Sequence, residues 1–262
     1  MILDRFRMDG KVALISGGGR GIGAGIARAF AEVGADVVIG ARTESQLAEV
    51  AADVAAQGRR AEIVAADLSE RAGMEALVDR ASDAFGRIDV VVNNAGGSPP
   101  GPFLDVSEAA FNGTFQWNVT TAFNLSQLAV PVMLKGGGGN MINIASAAGQ
   151  FHDRGFVAYG TAKAALIHMT ANLANDLAPK IRVNCIAPGA TETSALRGVL
   201  DAELEAKMVA RTPLGRLGAV EDIAAAAVFL ASDAADYVTG RVIEVDGGIR
   251  HSNLDLGLPD LG

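Results

Sequence analysis

The sequence predicts an α/β fold in which about seven parallel strands form a sheet covered by helices on both faces. Short, fully apolar runs alternate along the chain with longer segments of helical periodicity. Strands that are apolar throughout are typical of a parallel sheet buried on both faces. The first strand also runs directly into a glycine-rich turn that opens a helix. Right-handed crossovers then give a doubly wound sheet whose ligands bind at the carboxyl ends of the strands.

The strands are predicted from short apolar runs bounded by turn-forming and charged residues. In chain order they cover residues 11–16, 36–40, 62–66, 89–93, 141–145, 181–186 and 241–245. The helices are predicted from apolar residues that recur every three or four positions. They cover residues 21–32, 44–57, 71–85, 158–177, 201–209 and 220–230, and residues 102–135 carry two helices broken near Asn118. No linker or repeat divides this pattern, so we expect a single domain over residues 1–262 with a substrate loop or lid at 190–216.

Composition narrows the classes of partner. Half of the 262 residues are hydrophobic, 20% are charged and the net charge is −8. Such an acidic chain is poorly suited to bind nucleic acid or an anionic membrane, and no apolar run approaches the ~18 residues of a spanning helix. The first residues are charged from Asp4 onward without an apolar signal region, Cys185 is the only cysteine, and the histidines lack metal-ligand spacing. We therefore expect a cytoplasmic protein without a metal site or disulfides.

The glycine-rich turn reads S-G-G-G-R-G-I-G between the first strand and the first helix. Glycines let the backbone approach a pyrophosphate closely, and the helix N-terminus adds N–H groups and a positive dipole. The spacing is neither the usual G-x-G-x-x-G nor a P-loop, but the position predicts a dinucleotide site in a Rossmann-type sheet. The candidate cofactor-binding residues of this turn are Ser16, Gly17, Gly19, Arg20, Gly21, Ile22 and Gly23.

The end of the second strand bears on the choice of nucleotide. It carries Arg42 and no carboxylate, while Asp36 lies at the start of the strand, roughly 16 Å from Ala41 at about 3.3 Å per residue. An arginine can bond a 2′-phosphate bidentately, and Arg20 is a possible second cation, so we expect NADP(H) to be preferred, with NAD(H) possible. Alternatively, Arg42 is a solvated residue at a helix start.

Asp67 ends the third strand and is followed by Leu68. This position suits contact with the adenine, whose amine can donate to the Asp67 carboxylate. The alternative role for Asp67 is an N-cap of the helix that begins near Arg71.

Ser146, Tyr159 and Lys163 are candidates for acid–base chemistry. Tyr159 and Lys163 lie one turn apart on one helix face. A nearby ammonium favours a phenolate and lowers the pKa of the phenol from about 10. The pair could therefore exchange a proton with a carbonyl or its alcohol, and Ser146 could hold the substrate oxygen. The alternative is an ordinary surface tyrosine and lysine.

Together these motifs resemble the short-chain dehydrogenase/reductase family over nearly the whole chain. The glycine turn matches that family's T-G-x-x-x-G-x-G with Ser16 in place of threonine. The other matching positions, in order, are Asn93-Asn94-Ala95-Gly96, Asn118, Ser146, Tyr159 with Lys163, Pro188-Gly189, and Thr193.

The resemblance implies a role for each of these residues. Tyr159 would give the proton, Ser146 would stabilise the substrate oxygen, and Lys163 would lower the pKa of Tyr159 and hold the nicotinamide ribose. Asn118 would fix a water in a proton relay. The residues that would line or cover the cofactor are Asn94, Ala95, Gly96, Tyr159, Lys163, Pro188, Gly189, Thr191 and Thr193. The resemblance also implies a homotetramer formed through two apolar helices and the last strand.

Substrate specificity is expected in residues 97–104, 150–156 and 190–216. Apolar residues there include Phe151, Phe156, Val199, Met208 and Val209, which favours a lipophilic ketone or alcohol over a sugar. Residues 188–196 and 212–218 are similar to the 7α-hydroxysteroid dehydrogenases, and comparable stretches occur in 3-oxoacyl-carrier-protein reductases. A steroid substrate is the first hypothesis.

Three other readings bear on the function. A reductase of 3-oxoacyl thioesters on carrier protein or coenzyme A is the first alternative, and for a carrier protein it would require a basic patch for which Arg197, Arg211 and Arg216 are candidates. A dinucleotide-sensing protein without catalysis is the second. The absence of G-x-S-x-G excludes a serine hydrolase of that type. His152 is a possible substrate contact, and the tail 251–262 either reaches a neighbouring subunit or is disordered.

Overall fold

Seven parallel strands form one sheet within the residues that the structure, a computed structural model, describes: 1–198, 200–254 and 258. The strand order is β3-β2-β1-β4-β5-β6-β7. The strands are β1 Val12–Ser16, β2 Asp36–Ala41, β3 Ala61–Ala65, β4 Val90–Asn93, β5 Gly139–Ile144, β6 Ile181–Pro188 and β7 Val242–Val245. The order reverses between β1 and β4, so the crevice for a ligand lies beyond the carboxyl ends of these two strands.

Helices cover both faces of the sheet. They are α1 Gly21–Glu32, α2 Glu44–Ala56, α3 Arg71–Phe85, α4 Glu108–Phe115, α5 Thr121–Lys135, α6 Val157–Leu177, α7 Ser194–Arg197, α8 Ala202–Ala210 and α9 Val220–Ala231. Successive residues of a strand face opposite sides. Ala13 and Ile15 of β1 therefore join a core with α1, α2 and α9, whereas Val12 and Leu14 join a core with α3, α5 and α6. The predicted α/β class and doubly wound sheet are confirmed.

The boundaries follow the sequence pattern closely. Helices α1 and α3 have the predicted ends, and the expected break near Asn118 is a π-helical turn over Gln116–Thr120. Strand β6 continues two residues further than predicted, to Pro188, and the short helix α7 was not predicted. In the described part of the chain, no helix combines the length and the apolar character needed to cross a membrane.

Two of the sequence predictions fall on residues that the structure does not describe. Val199 of the expected apolar wall, and residues 255–257 and 259–262 of the tail, lie outside the described residues.

Candidate active site

The carboxyl ends of β1 and β4 are joined through the hydroxyl of Ser16. Its Oγ accepts hydrogen bonds from the backbone N–H groups of Asn94 at 3.0 Å and Ala95 at 3.1 Å, and donates to the Val92 carbonyl at 3.3 Å. These three bonds use the donor and two acceptor positions of a hydroxyl, and Ser16 is buried. The side chain of Ser16, predicted to contact the cofactor, is thus committed to holding the loop after β4 in place.

The glycine turn bends sharply against that loop. Gly17 has φ +69° and Gly21 has φ +54°, a region that favours glycine. A Cβ on Gly17 would lie 2.8 Å from Asn94 Nδ2, and that same amide donates to the carbonyls of Ser16 and Gly17 at 3.0 and 3.1 Å. The turn and Asn94 therefore fix each other.

Helix α1 begins without a side-chain cap. Arg20 is its N-cap residue and makes no capping hydrogen bond with its side chain. The N–H groups of Gly21, Ile22 and Gly23 lie in the first turn, where a helix has no internal acceptors for them. These donors and the positive end of the helix dipole fit the pyrophosphate of a dinucleotide.

Ser146, Tyr159 and Lys163 come together at the carboxyl end of β5. Ser146 follows that strand and hydrogen-bonds the Tyr159 hydroxyl, while Lys163 Nζ donates to the Ile144 carbonyl at 2.8 Å and lies 5.6 Å from the centre of the Tyr159 ring. The turn after Ser146 packs directly on α6, since a Cβ on Gly149 would lie 2.7 Å from the backbone carbon of Lys163. Because Gly149 has no Cβ, the turn can approach α6 closely, and Ser146 then lies beside Tyr159 and Lys163.

Burial sets the protonation of this cluster. Burial raises the pKa of Tyr159, and its hydrogen bond with Ser146 lowers it in part. Burial also lowers the pKa of Lys163 from 10.5 to about 8. The prediction that Lys163 lowers the pKa of Tyr159 is not supported here, because the ammonium points to the Ile144 carbonyl and desolvation dominates the phenol.

Asn118 lies in the π turn and is buried. Its Oδ1 accepts from the Gly97 N–H at 2.8 Å, and its Nδ2 donates to the carbonyls of Gly97 at 3.0 Å and Thr114 at 2.8 Å. The side chain thus ties α4 to the loop after β4. A water held by Asn118, as the resemblance implies, would have to be shared with these contacts or bound by the backbone.

Gly96 lies between Asn118 and Lys163. A Cβ at this position would approach Asn118 Oδ1 to 2.7 Å and Lys163 Nζ to 3.0 Å. The missing side chain leaves the floor of the crevice open in front of the lysine, which fits the close approach of a planar ligand to the backbone of Ala95 and Gly96.

The end of β2 carries positive charge. Arg42 and Arg20 are exposed, and no carboxylate ends this strand. Asp36 lies at the other end, where its Oδ1 accepts from the Arg59 side chain at 3.0 Å and the Arg60 N–H at 2.8 Å. The exclusion of Asp36 as a ribose ligand agrees with this placement.

Asp67 stands near Arg42 at the neighbouring strand end. Its Oδ1 accepts from the backbone and hydroxyl of Ser69 at 2.9 and 2.7 Å; these bonds, and the charge of Arg42, lower the pKa of the carboxyl. Asp67 is therefore ionised and is not the N-cap of α3, a position that Glu70 holds. The Leu68 side chain is buried in the core, so only its backbone could face a ligand.

The chain after β6 passes in front of the glycine turn. Gly189 N–H donates to the Val245 carbonyl at 2.9 Å, and the buried Thr191 donates to the Gly189 carbonyl at 3.1 Å. Thr193 caps α7, and its Cγ2 would lie 3.3 Å from a Cβ on Gly21. This segment, which starts at Pro188, thus covers one side of the crevice, as expected for residues that close over a bound cofactor.

A buried polar chain beneath the site was not found from the sequence. Asn93 Nδ2 donates to Ser126 Oγ at 3.0 Å and to Asn143 Oδ1 at 2.8 Å, and Asn143 Nδ2 donates to Thr170 Oγ1 at 2.8 Å. The chain links α5, β4, β5 and α6. Polar residues inside the apolar strands were its only sequence signal. Cys185 is also buried, and burial raises the pKa of its thiol to about 12, consistent with packing.

Parts of two expected substrate segments, 97–104 and 150–156, line one cavity. A cavity of about 870 Å³ lies between residues 101–105 and 148–157 and is lined by Phe103, Phe151, His152 and Phe156. The Phe156 ring packs against Tyr159 with 5.8 Å between centres. Val209 is half-buried, but Met208 is fully buried and is part of the packing beneath the segment, not of an accessible apolar wall.

Comparisons with known proteins agree with this geometry. A family model described as enoyl-(acyl carrier protein) reductase matches residues 17–250. An uncharacterised oxidoreductase of Mycobacterium tuberculosis (strain CDC 1551 / Oshkosh) is 54% identical and covers 100% of both chains. The 7α-hydroxysteroid dehydrogenase of Escherichia coli (strain K12) is 43% identical over 94% of this chain and 96% of its own length. A 3-oxoacyl-carrier-protein reductase of Chlamydia muridarum (strain MoPn / Nigg) is 37% identical over 91% of this chain and 97% of its own length.

Solved structures give the same assignment. A 7α-hydroxysteroid dehydrogenase complexed with NADH and 7-oxo glycochenodeoxycholic acid superposes with a TM-score of 0.92 at 42% identity, over 95% of this chain and 98% of that chain. A gluconate 5-dehydrogenase from Burkholderia cenocepacia J2315, in complex with NADP and tartrate, superposes with a TM-score of 0.89 at 37% identity, over 95% of this chain and 98% of that chain. The chain therefore belongs to the short-chain dehydrogenase/reductase family of oxidoreductases.

Proposed function

We propose that the protein is an NADP(H)-dependent oxidoreductase that interconverts a ketone and a secondary alcohol, with a lipophilic molecule such as a hydroxysteroid as substrate. The observation that carries this proposal is the placement of Tyr159 beside Ser146 and the buried Lys163, whose Nζ lies 5.6 Å from the centre of the Tyr159 ring. These groups stand at the edge of the crevice where a doubly wound sheet binds its ligand.

In this proposal, Tyr159 supplies the proton and Ser146 orients the substrate oxygen. The raised pKa of Tyr159 keeps the phenol protonated at neutral pH, as a proton donor to a carbonyl must be. Ser146 stabilises the negative charge that develops on that oxygen. Lys163 holds the turn that carries Ser146 through its bond to the Ile144 carbonyl, and its ammonium adds positive charge beside the reacting groups. A bound nicotinamide supplies the hydride chemistry.

The cofactor would be held by the residues already described around the crevice. The first turn of α1 suits the pyrophosphate, while Asn94, Ala95, Gly96 and Lys163 line the floor. Arg42 and Arg20 suit a 2′-phosphate, because an arginine fork can bond two phosphate oxygens. This charge favours NADP(H) over NAD(H). Structural relatives are named with each of the two nucleotides.

Two observations favour a hydroxysteroid: the names of the relatives, and the pairing of two arginines that an acidic carrier protein would need. The relatives above include a 7α-hydroxysteroid dehydrogenase and a structure named with a 7-oxo bile acid. The alternative, a 3-oxoacyl-carrier-protein or coenzyme A thioester reductase, is supported by one relative's name. Its carrier-protein form expects a basic surface, yet Arg197 bonds Glu192 at 2.5 Å and Arg216 bonds Asp222 at 2.6 Å. Pairing with carboxylates reduces the positive charge offered to an acidic carrier protein.

The proposal also keeps the expected single domain, cytoplasmic location and homotetramer. Exposed apolar side chains on α4 and α5 support association between copies: Phe115 is 37% exposed and Phe123 is 43% exposed. Large exposed apolar side chains of this kind favour a protein interface.

A substrate panel tests the proposal. Purified protein is assayed with NADPH and NADH against 7-oxo bile acids, small ketones and 3-oxoacyl thioesters of coenzyme A and carrier protein. We expect steroid ketones to give the highest kcat/KM, and NADPH to exceed NADH by at least about tenfold, which corresponds to about 1.4 kcal/mol. Preference for the thioesters would support the first alternative. Tight NADPH binding without turnover of any carbonyl would support the dinucleotide-sensing alternative.

A further inference from the structure

The chain that follows β7 packs on the expected substrate lid of its own subunit. The Leu214 N–H donates to the Gly247 carbonyl at 3.1 Å. Further along, Asn253 Nδ2 donates to Thr212 Oγ1 at 2.9 Å, and both side chains are buried at 6% exposure. Thr212 Oγ1 in turn donates to the Met208 carbonyl in α8 at 2.8 Å. The tail is therefore anchored to the end of residues 190–216 through buried polar contacts.

Leu258 reaches the other two substrate segments. A Cβ on Gly155 would lie 2.8 Å from Leu258 Cδ1 and 3.5 Å from the backbone of Gly101. Gly155 has φ +82°, and its carbonyl accepts from the Gly101 N–H at 2.9 Å. Leu258 thus packs where residues 97–104 and 150–156 are hydrogen-bonded to each other, and it lines the cavity between them.

These contacts lead back to the catalytic groups through Phe156. Phe156 lines the same cavity as Leu258, and its ring lies 5.8 Å from that of Tyr159. A shift of residues 150–156 would therefore move an aromatic wall beside the proton donor.

We propose that Asn253 and Leu258 are specificity-determining residues that hold all three substrate-facing segments in one arrangement suited to a bulky, lipophilic carbonyl compound. The proposal rests on the proposed function for its substrate class. Asn253 fixes the lid, and Leu258 fixes the pair of loops beside Tyr159. Within the described part of the tail, Asn253 and Leu258 both contact residues of their own chain.

Hydrogen exchange tests the contacts without relying on activity. The variants Leu258→Ala and Asn253→Ala are compared with the wild type and with Arg250→Ala, which changes an exposed residue of the same tail. We expect Leu258→Ala to speed amide exchange in residues 150–156 at least about threefold, and Asn253→Ala to do so in residues 204–214, because local opening follows lost packing. Arg250→Ala should leave both segments unchanged. Wild-type exchange rates in Leu258→Ala would overturn the proposal.

Steady-state kinetics then tests the effect of the two residues on substrate specificity. Thermal melts first establish that each variant is folded. Leu258→Ala and Asn253→Ala should lower the ratio of kcat/KM for a steroid ketone to that for a small ketone by about tenfold, a range typical of apolar contacts in a substrate pocket. The NADPH dissociation constant should stay within about twofold, since Asn253 contacts Thr212 and Leu258 contacts Gly155, and neither is a predicted cofactor residue. An unchanged ratio in both variants would overturn the proposal that Asn253 and Leu258 determine substrate specificity. If the wild type reduces no ketone, the proposed function fails, and hydrogen exchange alone decides whether the tail fixes the loops.

Discussion

Lys163 Nζ donates its hydrogen bond to the Ile144 carbonyl, 2.8 Å away. Ile144 is the last residue of β5 and lies two residues before Ser146. The lysine therefore joins the helix that carries Tyr159 to the strand that positions Ser146. Burial of the ammonium lowers the pKa of Lys163 to about 8, which means that the folded protein carries this charge at a cost in stability.

Replacing this lysine by methionine should stabilise the protein at neutral pH. Lowering a pKa from 10.5 to about 8 corresponds to about 3 kcal/mol. Methionine leaves the Ile144 carbonyl without that donor, so we expect Lys163→Met to raise the free energy of unfolding by on the order of 1–3 kcal/mol. Urea unfolding at about pH 7 measures the difference, and turnover should be lost.

The pH dependence supplies the control for that prediction. The folded-state pKa of Lys163 is lower than the unfolded value, so between about 8 and 10.5 the unfolded chain binds more protons than the folded chain. This group therefore makes wild-type stability rise with pH in that window. The advantage of Lys163→Met should shrink across it. An advantage that is the same at both ends of the window would contradict a buried ammonium.

Tyr159→Phe should abolish turnover but preserve cofactor binding. The ring still packs against Phe156, while the hydroxyl that we propose as the proton donor is lost. General acid catalysis contributes about 10²–10⁴-fold, so kcat should fall by at least about 100-fold with the NADPH dissociation constant within about twofold. Stopped-flow reduction and fluorescence titration measure the two quantities. Retained turnover would remove Tyr159 as the acid.

The same tyrosine sets an expectation for the pH profile of ketone reduction. Burial raises the pKa of Tyr159 above its usual value of 10.0, so the phenol stays protonated through neutral pH. Loss of the Tyr159 proton should therefore contribute no fall in the reduction rate below about pH 10. A fall near neutrality that is absent from Lys163→Arg would point to Lys163 instead, whose pKa is about 8.

Ser16 offers a matched pair of substitutions. Ser16→Ala removes the acceptor of the Ala95 N–H and one of the two acceptors of the Asn94 N–H, which also donates to the Val92 carbonyl at 3.1 Å. A donor left unpaired away from water costs about 1–3 kcal/mol. We expect this loss in unfolding free energy and a weaker affinity for both nucleotides. Ser16→Thr keeps the hydroxyl and should retain most of both. Equal behaviour of the two variants would show that the hydroxyl does not position the loop.

Arg42→Ala tests the nucleotide preference. We expect the NADPH dissociation constant to rise about tenfold to a hundredfold, because a charge-assisted phosphate contact is lost, while NADH binding changes less than about twofold. Arg80→Ala is the control, because it also removes an arginine. Arg80 lies on α3 and pairs with Glu62 of β3 at 2.9 Å, and it is not a predicted cofactor residue. Isothermal titration with both nucleotides measures the effect. A similar loss for NADPH and NADH would refute a 2′-phosphate contact.

The succession of strands and helices along the chain could be predicted from the sequence, because apolar runs and glycine turns are local signals. The sequence also brought Tyr159 and Lys163 together, since helical spacing is regular. It could not find the bond from Lys163 to Ile144, because that choice of acceptor depends on how α6 packs against β5. The bonds of the Ser16 hydroxyl were not predicted from the sequence for a similar reason. Its partners Asn94 and Ala95 are 78 and 79 residues away, and only the pairing of β1 with β4 brings them within reach.

The π turn at Gln116–Thr120 makes the spacing between α4 and α5 sensitive to a single residue. Thr121 N–H donates to the Gln116 carbonyl, five residues back, so the turn holds one residue more than a regular helix would. Each residue of an α-helix advances the chain by about 100° around its axis. Deleting one residue here would straighten the segment into one continuous helix, turn α4 by about a quarter circle, and carry Thr114 and the Asn118 amide out of register with Gly97. A change of one residue in the length of this stretch would therefore disturb the loop after β4 even if every proposed catalytic residue were kept.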